Sequence, residues 1–130
     1  MRSDRRVGER GSAVVEFALV LPLLLLLVVA IVQVGVLVRA RLILEQSARA
    51  GAREAAVESD EGAVRSAAEA AAPGLPAEDL TVEVQRDGGR GDPVTVSVGY
   101  DVRVADLIAG WLMPESVHLG AEATMRQEFG

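Results

Sequence analysis

The chain has 130 residues, of which half are hydrophobic and a quarter charged, with a formal net charge of −6. It has no Cys and a single His, which excludes disulfides, thiolate or multi-histidine metal sites and a cysteine nucleophile. Four aromatic residues and a negative net charge argue against a nucleic-acid partner. No pair of acids has a spacing that favours acid-base catalysis. We therefore expect no cofactor, no metal, no small-molecule substrate and no enzymatic activity.

The N-terminal part combines a basic leader with a long apolar run. Residues 1–11 contain four Arg, and residues 17–38 form an uncharged run of 22 residues, 19 of them apolar. As a helix this run is about 33 Å long, enough to cross a hydrocarbon core about 30 Å thick. We predict a single transmembrane helix over residues 12–38. A cleaved secretory signal is the alternative, but its apolar region is usually about 7 to 15 residues long, and no small-residue cleavage site follows here.

The charges flanking the run predict its orientation only weakly. Residues 1–16 and residues 39–54 carry four Arg each, so the positive-inside rule is almost tied. The N-terminal tail is short, however, and residues 39–130 carry nine Arg against 16 acids. We expect a single-pass protein of the inner (cytoplasmic) membrane, with a cytoplasmic N-terminus and an extracytoplasmic C-terminal domain.

Glu16 is the one acid at the edge of the apolar run. A charge at the centre of a membrane helix costs about 2.5 to 3.5 kcal/mol on insertion scales, and less near the interface. An acid in this position therefore either lies at headgroup level, near the favourable helix N-terminus, or has a partner of opposite charge.

The junction before the run, Arg10-Gly11-Ser12-Ala13-Val14-Val15-Glu16-Phe17, resembles the processing site of type IV pilin precursors, and especially of the TadE-like family of tight-adherence (Flp-type) pilus proteins. In that pattern a basic leader ends in Gly, and the fifth residue after the cut is an acid followed by an aromatic residue. The resemblance implies cleavage between Gly11 and Ser12 by a prepilin peptidase. It also implies that Glu16 and Phe17 serve in assembly or recognition, with Glu16 meeting the N-terminal amine of a neighbouring pilin or Tad-system subunit.

A second block, Arg49-Ala50-Gly51-Ala52-Arg53-Glu54-Ala55-Ala56, is similar to the juxtamembrane helix of TadE-like proteins. The apolar pattern predicts that the helix continues past the membrane, over residues 39–58. Ala48, Gly51, Ala52 and Ala55 form a stripe of small residues that is either a packing surface for a helix or sheet, or part of a solvated Ala-rich helix. A second helix is expected over 61–72, so that residues 39–72 form an extramembrane helical segment.

From residue 73 to residue 130 the pattern favours a small antiparallel sheet. Apolar residues alternate from Leu80 to Val84 and again from Val94 to Val104, on either side of a turn-rich loop at 87–92. A third strand is expected over 118–128, and residues 105–113 form either a short helix or an apolar loop. Such a small sheet needs a covering element, for which the outer half of the long helix is the candidate.

These elements together predict an α+β fold, pilin-like in plan, with a long N-terminal helix packed on a three-stranded antiparallel sheet. The function that the resemblance implies is that of a TadE-like pilus assembly protein or minor pseudopilin. The alternative is an unprocessed single-pass membrane anchor that displays a small extracytoplasmic binding domain.

Overall fold

The computed structural model describes residues 5–103 and 116–129, with side chains from Gly11 onward. Two helices, α1 (Arg5–Val57) and α2 (Glu61–Ala70), are followed by a short 3₁₀ helix (Ala77–Asp79) and three strands, β1 (Leu80–Arg86), β2 (Pro93–Arg103) and β3 (Ser116–Arg126). The strands form one antiparallel sheet in the order β1-β2-β3. This arrangement confirms the predicted α+β fold with a long N-terminal helix.

The contacts within the chain divide it into two compact units, Met1–Val36 and Leu37–Gly130. In the first unit, all the side chains from Gly11 to Val28 are exposed, including the large aliphatic ones. Helix α1 is the one helix among the described residues that is long and apolar enough to cross a membrane. Because an apolar surface of this size is rare on a soluble monomer, the exposure supports the predicted membrane segment.

In the second unit, the small-residue stripe of α1 is a packing surface. Ala48, Ala52 and Ala55 are fully buried in the core. A Cβ built on Gly51 would lie 3.0 Å from Cγ1 of Val96 in β2 and 3.3 Å from Cβ of Ala68 in α2. The helix can approach the sheet this closely only because its side chains are small, so the alternative of a solvated Ala-rich helix is wrong.

Helix α2 is fixed at its start and near its end. The Asp60 carboxylate caps it by accepting a 3.0 Å hydrogen bond from the Gly62 amide. The buried Ser47 hydroxyl of α1 donates a 2.7 Å hydrogen bond to the Ala68 carbonyl. The helix ends at Ala70, two residues before the predicted end, as the backbone turns toward Pro73 and Gly74, whose φ is +82°.

The sheet carries most of the larger apolar side chains of the core. Val94, Val96, Val98 and Val102 of β2 are buried at alternate positions, as the period of two predicted. Strand β3 spans 116–126 and not the predicted 118–128, because Gln127 and Glu128 have other backbone partners. The Gln127 amide donates to the Asp92 carbonyl at 2.9 Å, and the Glu128 amide donates to the Ala56 carbonyl at 2.7 Å. The predicted helix or apolar loop at 105–113 lies outside the described residues.

Arg86, at the end of β1, links the sheet to the end of α1. Its guanidinium donates to the carbonyls of Ala55 at 2.8 Å and Glu58 at 2.9 Å, and to Oε1 of Gln127 at 3.1 Å. It also lies 5.4 Å from the centre of the Phe129 ring. The last carbonyls of a helix have no partner within the helix, so Arg86 satisfies acceptors that would otherwise depend on solvent.

Candidate functional site

The four residues of the predicted processing and assembly site lie together on the first part of α1. Gly11, Ser12, Glu16 and Phe17 are all helical, and the peptide bond between Gly11 and Ser12 lies inside the helix. Ser12 and Glu16 are one helical turn apart, which brings their side chains to the same face. The Ser12 hydroxyl donates a long hydrogen bond, 3.4 Å, to Oε1 of Glu16.

This site is an open surface. The side chains from Gly11 to Val20 are all exposed, and Phe17 retains 62% of its accessible area. A carboxylate and an aromatic ring presented in this way can be covered only by lipid or by another protein. Both groups are therefore available for contact with lipid or with another protein.

Gly11 has no steric role in this helix. A Cβ built at this position would meet no other atom within 4 Å, in contrast to one built on Gly51. A glycine inside a helix makes the helix less stable than an alanine would, by about 1 kcal/mol. Less free energy is therefore needed to open the helix at this point. Because packing does not require a glycine here, its presence calls for a different explanation.

The first part of the chain is similar to a known protein family. Residues 11–53 match the family model for TadE-like protein. The predicted TadE-like resemblance is thereby confirmed over this segment, which is 43 of the 130 residues. The match indicates a Tad pilus-related protein with an N-terminal apolar helix. No curated protein and no solved structure matches the chain significantly.

The TadE-like segment, residues 11–53, begins at Gly11 and ends at Arg53. It contains all four predicted site residues, the whole apolar run and the first part of the juxtamembrane block. Neither α2 nor any strand lies within it. The similarity to the family therefore concerns helix α1.

An open hollow of about 740 Å³ lies in the second unit, between polar side chains of α1 and of the sheet. Some of the groups that line it are paired: Glu45 contacts Arg41 at 3.6 Å and Arg49 at 3.5 Å, and Nδ1 of His118 lies 2.9 Å from Oδ1 of Asp101. Glu83 and Glu122 line it as well. Arg41 and Glu45 are four residues apart, a spacing that places the two side chains on the same face of the helix. The contact between His118 and Asp101 was not predicted, because it depends on the register of β2 against β3.

The hollow has no recognisable metal site. Within the described part of the chain, no group of three or more His, Asp or Glu side chains is placed to hold a metal ion. An open hollow of this kind, lined by a mixture of acids and arginines, indicates no particular chemistry.

Proposed function

We propose that this chain is a TadE-like pilus assembly protein or minor pseudopilin of a tight-adherence (type IVc) pilus or a related secretion system. It is cleaved between Gly11 and Ser12 by a prepilin peptidase and assembles with other pilin or Tad-system subunits through its N-terminal helix. The observation that carries this proposal is the family match, which starts at Gly11 and extends through Glu16, Phe17 and the apolar run.

The position of Gly11 inside the helix, and its lack of a side chain, support the cleavage step. A peptidase must gain access to a bond that lies inside a helix in the precursor. The glycine weakens the helix locally and presents no side chain next to the bond. No neighbouring atom lies within 4 Å of a Cβ at this position, so packing does not require a glycine here. A requirement of the peptidase for glycine before the cut would explain it.

The contact between Ser12 and Glu16 supports the assembly step. After cleavage Ser12 carries the free amine, one helical turn from the exposed Glu16 carboxylate. Within one chain these groups face outward together, so that the amine of one subunit and the carboxylate of the next are both accessible. Pairing two opposite charges at the membrane edge removes the cost of leaving either one alone, and it specifies the register between subunits.

The chain lies in the inner membrane in this proposal, with residues 1–11 on the cytoplasmic side and the second unit outside. The alternative is an unprocessed single-pass anchor that displays the sheet domain as a binding module. The open hollow beside α1 is the feature that such a module would offer. The two functions predict different first residues for the protein found in the membrane: Ser12 if it is processed, and Met1 if it is not.

The decisive measurement is the intact mass of the full chain extracted from membranes of cells with and without a prepilin peptidase. We expect a species that begins at Ser12 only where the peptidase is present, and slower cleavage of the Gly11→Ala variant. That substitution adds a methyl group into open space, so a change in cleavage cannot result from altered packing. A chain that begins at Met1 in peptidase-containing cells would overturn the processing step and favour the anchor.

Glu16→Gln tests the assembly step separately. We expect normal cleavage and about tenfold or greater loss from the filament fraction, because the neutral amide leaves the amine of the neighbouring subunit without its counter-charge. Glu58→Gln, at an exposed acid just beyond the end of α1, is the matched control and should assemble normally. Normal recovery of Glu16→Gln in filaments would rule out the pairing role.

A further inference from the structure

Gln33 is the only residue between Phe17 and Val38 whose side chain can form hydrogen bonds. It lies about 8 Å along the helix from the middle of the run, and therefore about 7 Å inside a hydrocarbon core of about 30 Å. Helical side chains tilt toward the N-terminus of their helix. The Gln33 amide is thus directed toward the membrane centre and away from the nearer, C-terminal boundary.

The amide makes no hydrogen bond to any other residue that the structure describes. Lipid chains offer neither donors nor acceptors, and a carboxamide in hydrocarbon without partners is costly. A short side chain that points inward cannot reach the headgroups as Lys or Arg does. A partner from another membrane helix is the remaining way to satisfy it.

We infer that Gln33 is a contact point between two copies of this chain within the membrane, amide to amide. A carboxamide is both donor and acceptor, so two identical groups satisfy each other. Two copies inserted with the same topology place Gln33 at the same depth, and a two-fold axis along the membrane normal brings the same residue of each copy together. Ala30, one turn before Gln33 on the same side, is small enough for a close approach of the two helices.

This contact is distinct from the one proposed for Glu16. The two residues are 17 positions apart, which separates them by about 25 Å along the helix and by about 100° around it. Both contacts can therefore be made at once, one at each end of the membrane segment. The inference requires only that residues 17–38 cross the membrane; it does not depend on cleavage or on a filament.

The chain has no Cys, so single cysteines can be introduced into the full-length protein without a background. At about 100° per residue, Leu26 lies within about 20° of Gln33 on the helix surface, whereas Leu24 lies on the opposite side. The two leucines are similarly exposed, at 48% and 46%. Leu26→Cys and Leu24→Cys are therefore a matched pair for oxidative cross-linking in membranes, where a disulfide requires the two Cβ atoms to approach within about 4 Å.

We expect a cross-linked dimer with Leu26→Cys and at least about fivefold less with Leu24→Cys. Adding Gln33→Leu should lower the association of the Leu26→Cys chain about three- to tenfold, while Gln33→Asn should largely retain it. Leu is more apolar than Gln, so this loss cannot be attributed to failed insertion. Equal cross-linking of the two cysteines, or cross-linking unaffected by Gln33→Leu, would overturn the proposal.

Two further measurements identify the partner and distinguish this inference from the proposed function. A Leu26→Cys product with the mass of a heterodimer, and no homodimer, would overturn the assignment to a second copy. Cells without the peptidase, and the Glu16→Gln background, should still yield the Gln33-dependent homodimer. Its loss in either background would mean that the contact forms only in the assembled filament, against the inference drawn here.

Discussion

Helix α1 uses apolar residues in opposite ways in the two units. In the first unit its large aliphatic side chains are exposed, with 74% of Leu19 and 63% of Ile31 accessible. In the second unit the buried face consists mainly of alanines, and the larger side chains of the core come from Leu44, from Val64 of α2 and from the strands. Side-chain size therefore distinguishes the two roles. Small residues permit a sheet to approach, whereas large residues without a protein neighbour need lipid or another subunit.

The glycines of α1 follow the same division. A Cβ on Gly11 or Gly35, in the first unit, would meet nothing within 4 Å, whereas one on Gly51 would press against Val96 and Ala68. Of these three, only Gly51 is required by the packing of the chain itself. The other two are positions at which a substitution tests function or association without disturbing the domain.

The largest expected effect comes from placing the same side chain at two of these glycines. Gly51→Leu should lower the free energy of unfolding of the second unit by about 3 kcal/mol or more, because four extra heavy atoms must fit where a single Cβ is already tight. Gly35→Leu, the matched control, should leave that unit unchanged. Urea unfolding in detergent, followed by amide hydrogen exchange across β2, measures both. Equal effects of the two substitutions would contradict the division between a packed and an exposed part of α1.

A smaller loss is expected where the sheet meets the end of α1. Arg86→Ala removes hydrogen bonds to two carbonyls at the end of α1 and to Gln127, and should cost about 2 kcal/mol. The exchange of amides near Val57 and Gln127 should increase before that of β2, because these backbone groups lose their anchor first. Arg90→Ala, in the exposed loop between β1 and β2, is the charge-matched control and should change the stability by less than about 0.5 kcal/mol. Uniform loss of protection over the whole sheet would show that Arg86 supports the core and not the helix end.

Local patterns were sufficient to predict most of the secondary structure. The alternation of Val94, Val96 and Val98 identified the buried face of β2, and the predicted start of α2 at residue 61 is confirmed. The end of β3 was missed by two residues, because it is determined by the pairing of Gln127 with the loop before β2. A side chain such as Arg86, whose hydrogen-bond partners are 28, 31 and 41 positions away, has no signature in the local sequence.

The candidate site was predictable for a different reason. Gly11, Ser12, Glu16 and Phe17 were identified from their resemblance to a family pattern, and the helical spacing of four alone places Ser12 beside Glu16. The partner of Glu16 in the proposed assembly belongs to another molecule, so a single chain does not contain it. For the stripe of Ala48, Gly51, Ala52 and Ala55, periodicity left a packed and a solvated interpretation open, and only tertiary contacts decided between them.

The smallest expected effect concerns the solvated flank of α1 in the second unit. Glu45 contacts both Arg41 and Arg49, but the two arginines retain 63% and 67% of their side-chain exposure. Ion pairs so accessible to water are each worth a few tenths of a kcal/mol and are screened by salt. Glu45→Gln should therefore lower the free energy of unfolding by no more than about 0.5 kcal/mol, and the difference from the unchanged chain should disappear at about 1 M salt. A salt-independent loss comparable with that of Arg86→Ala would mean that this charged flank, and not the small-residue face, fixes the outer part of α1 on its domain.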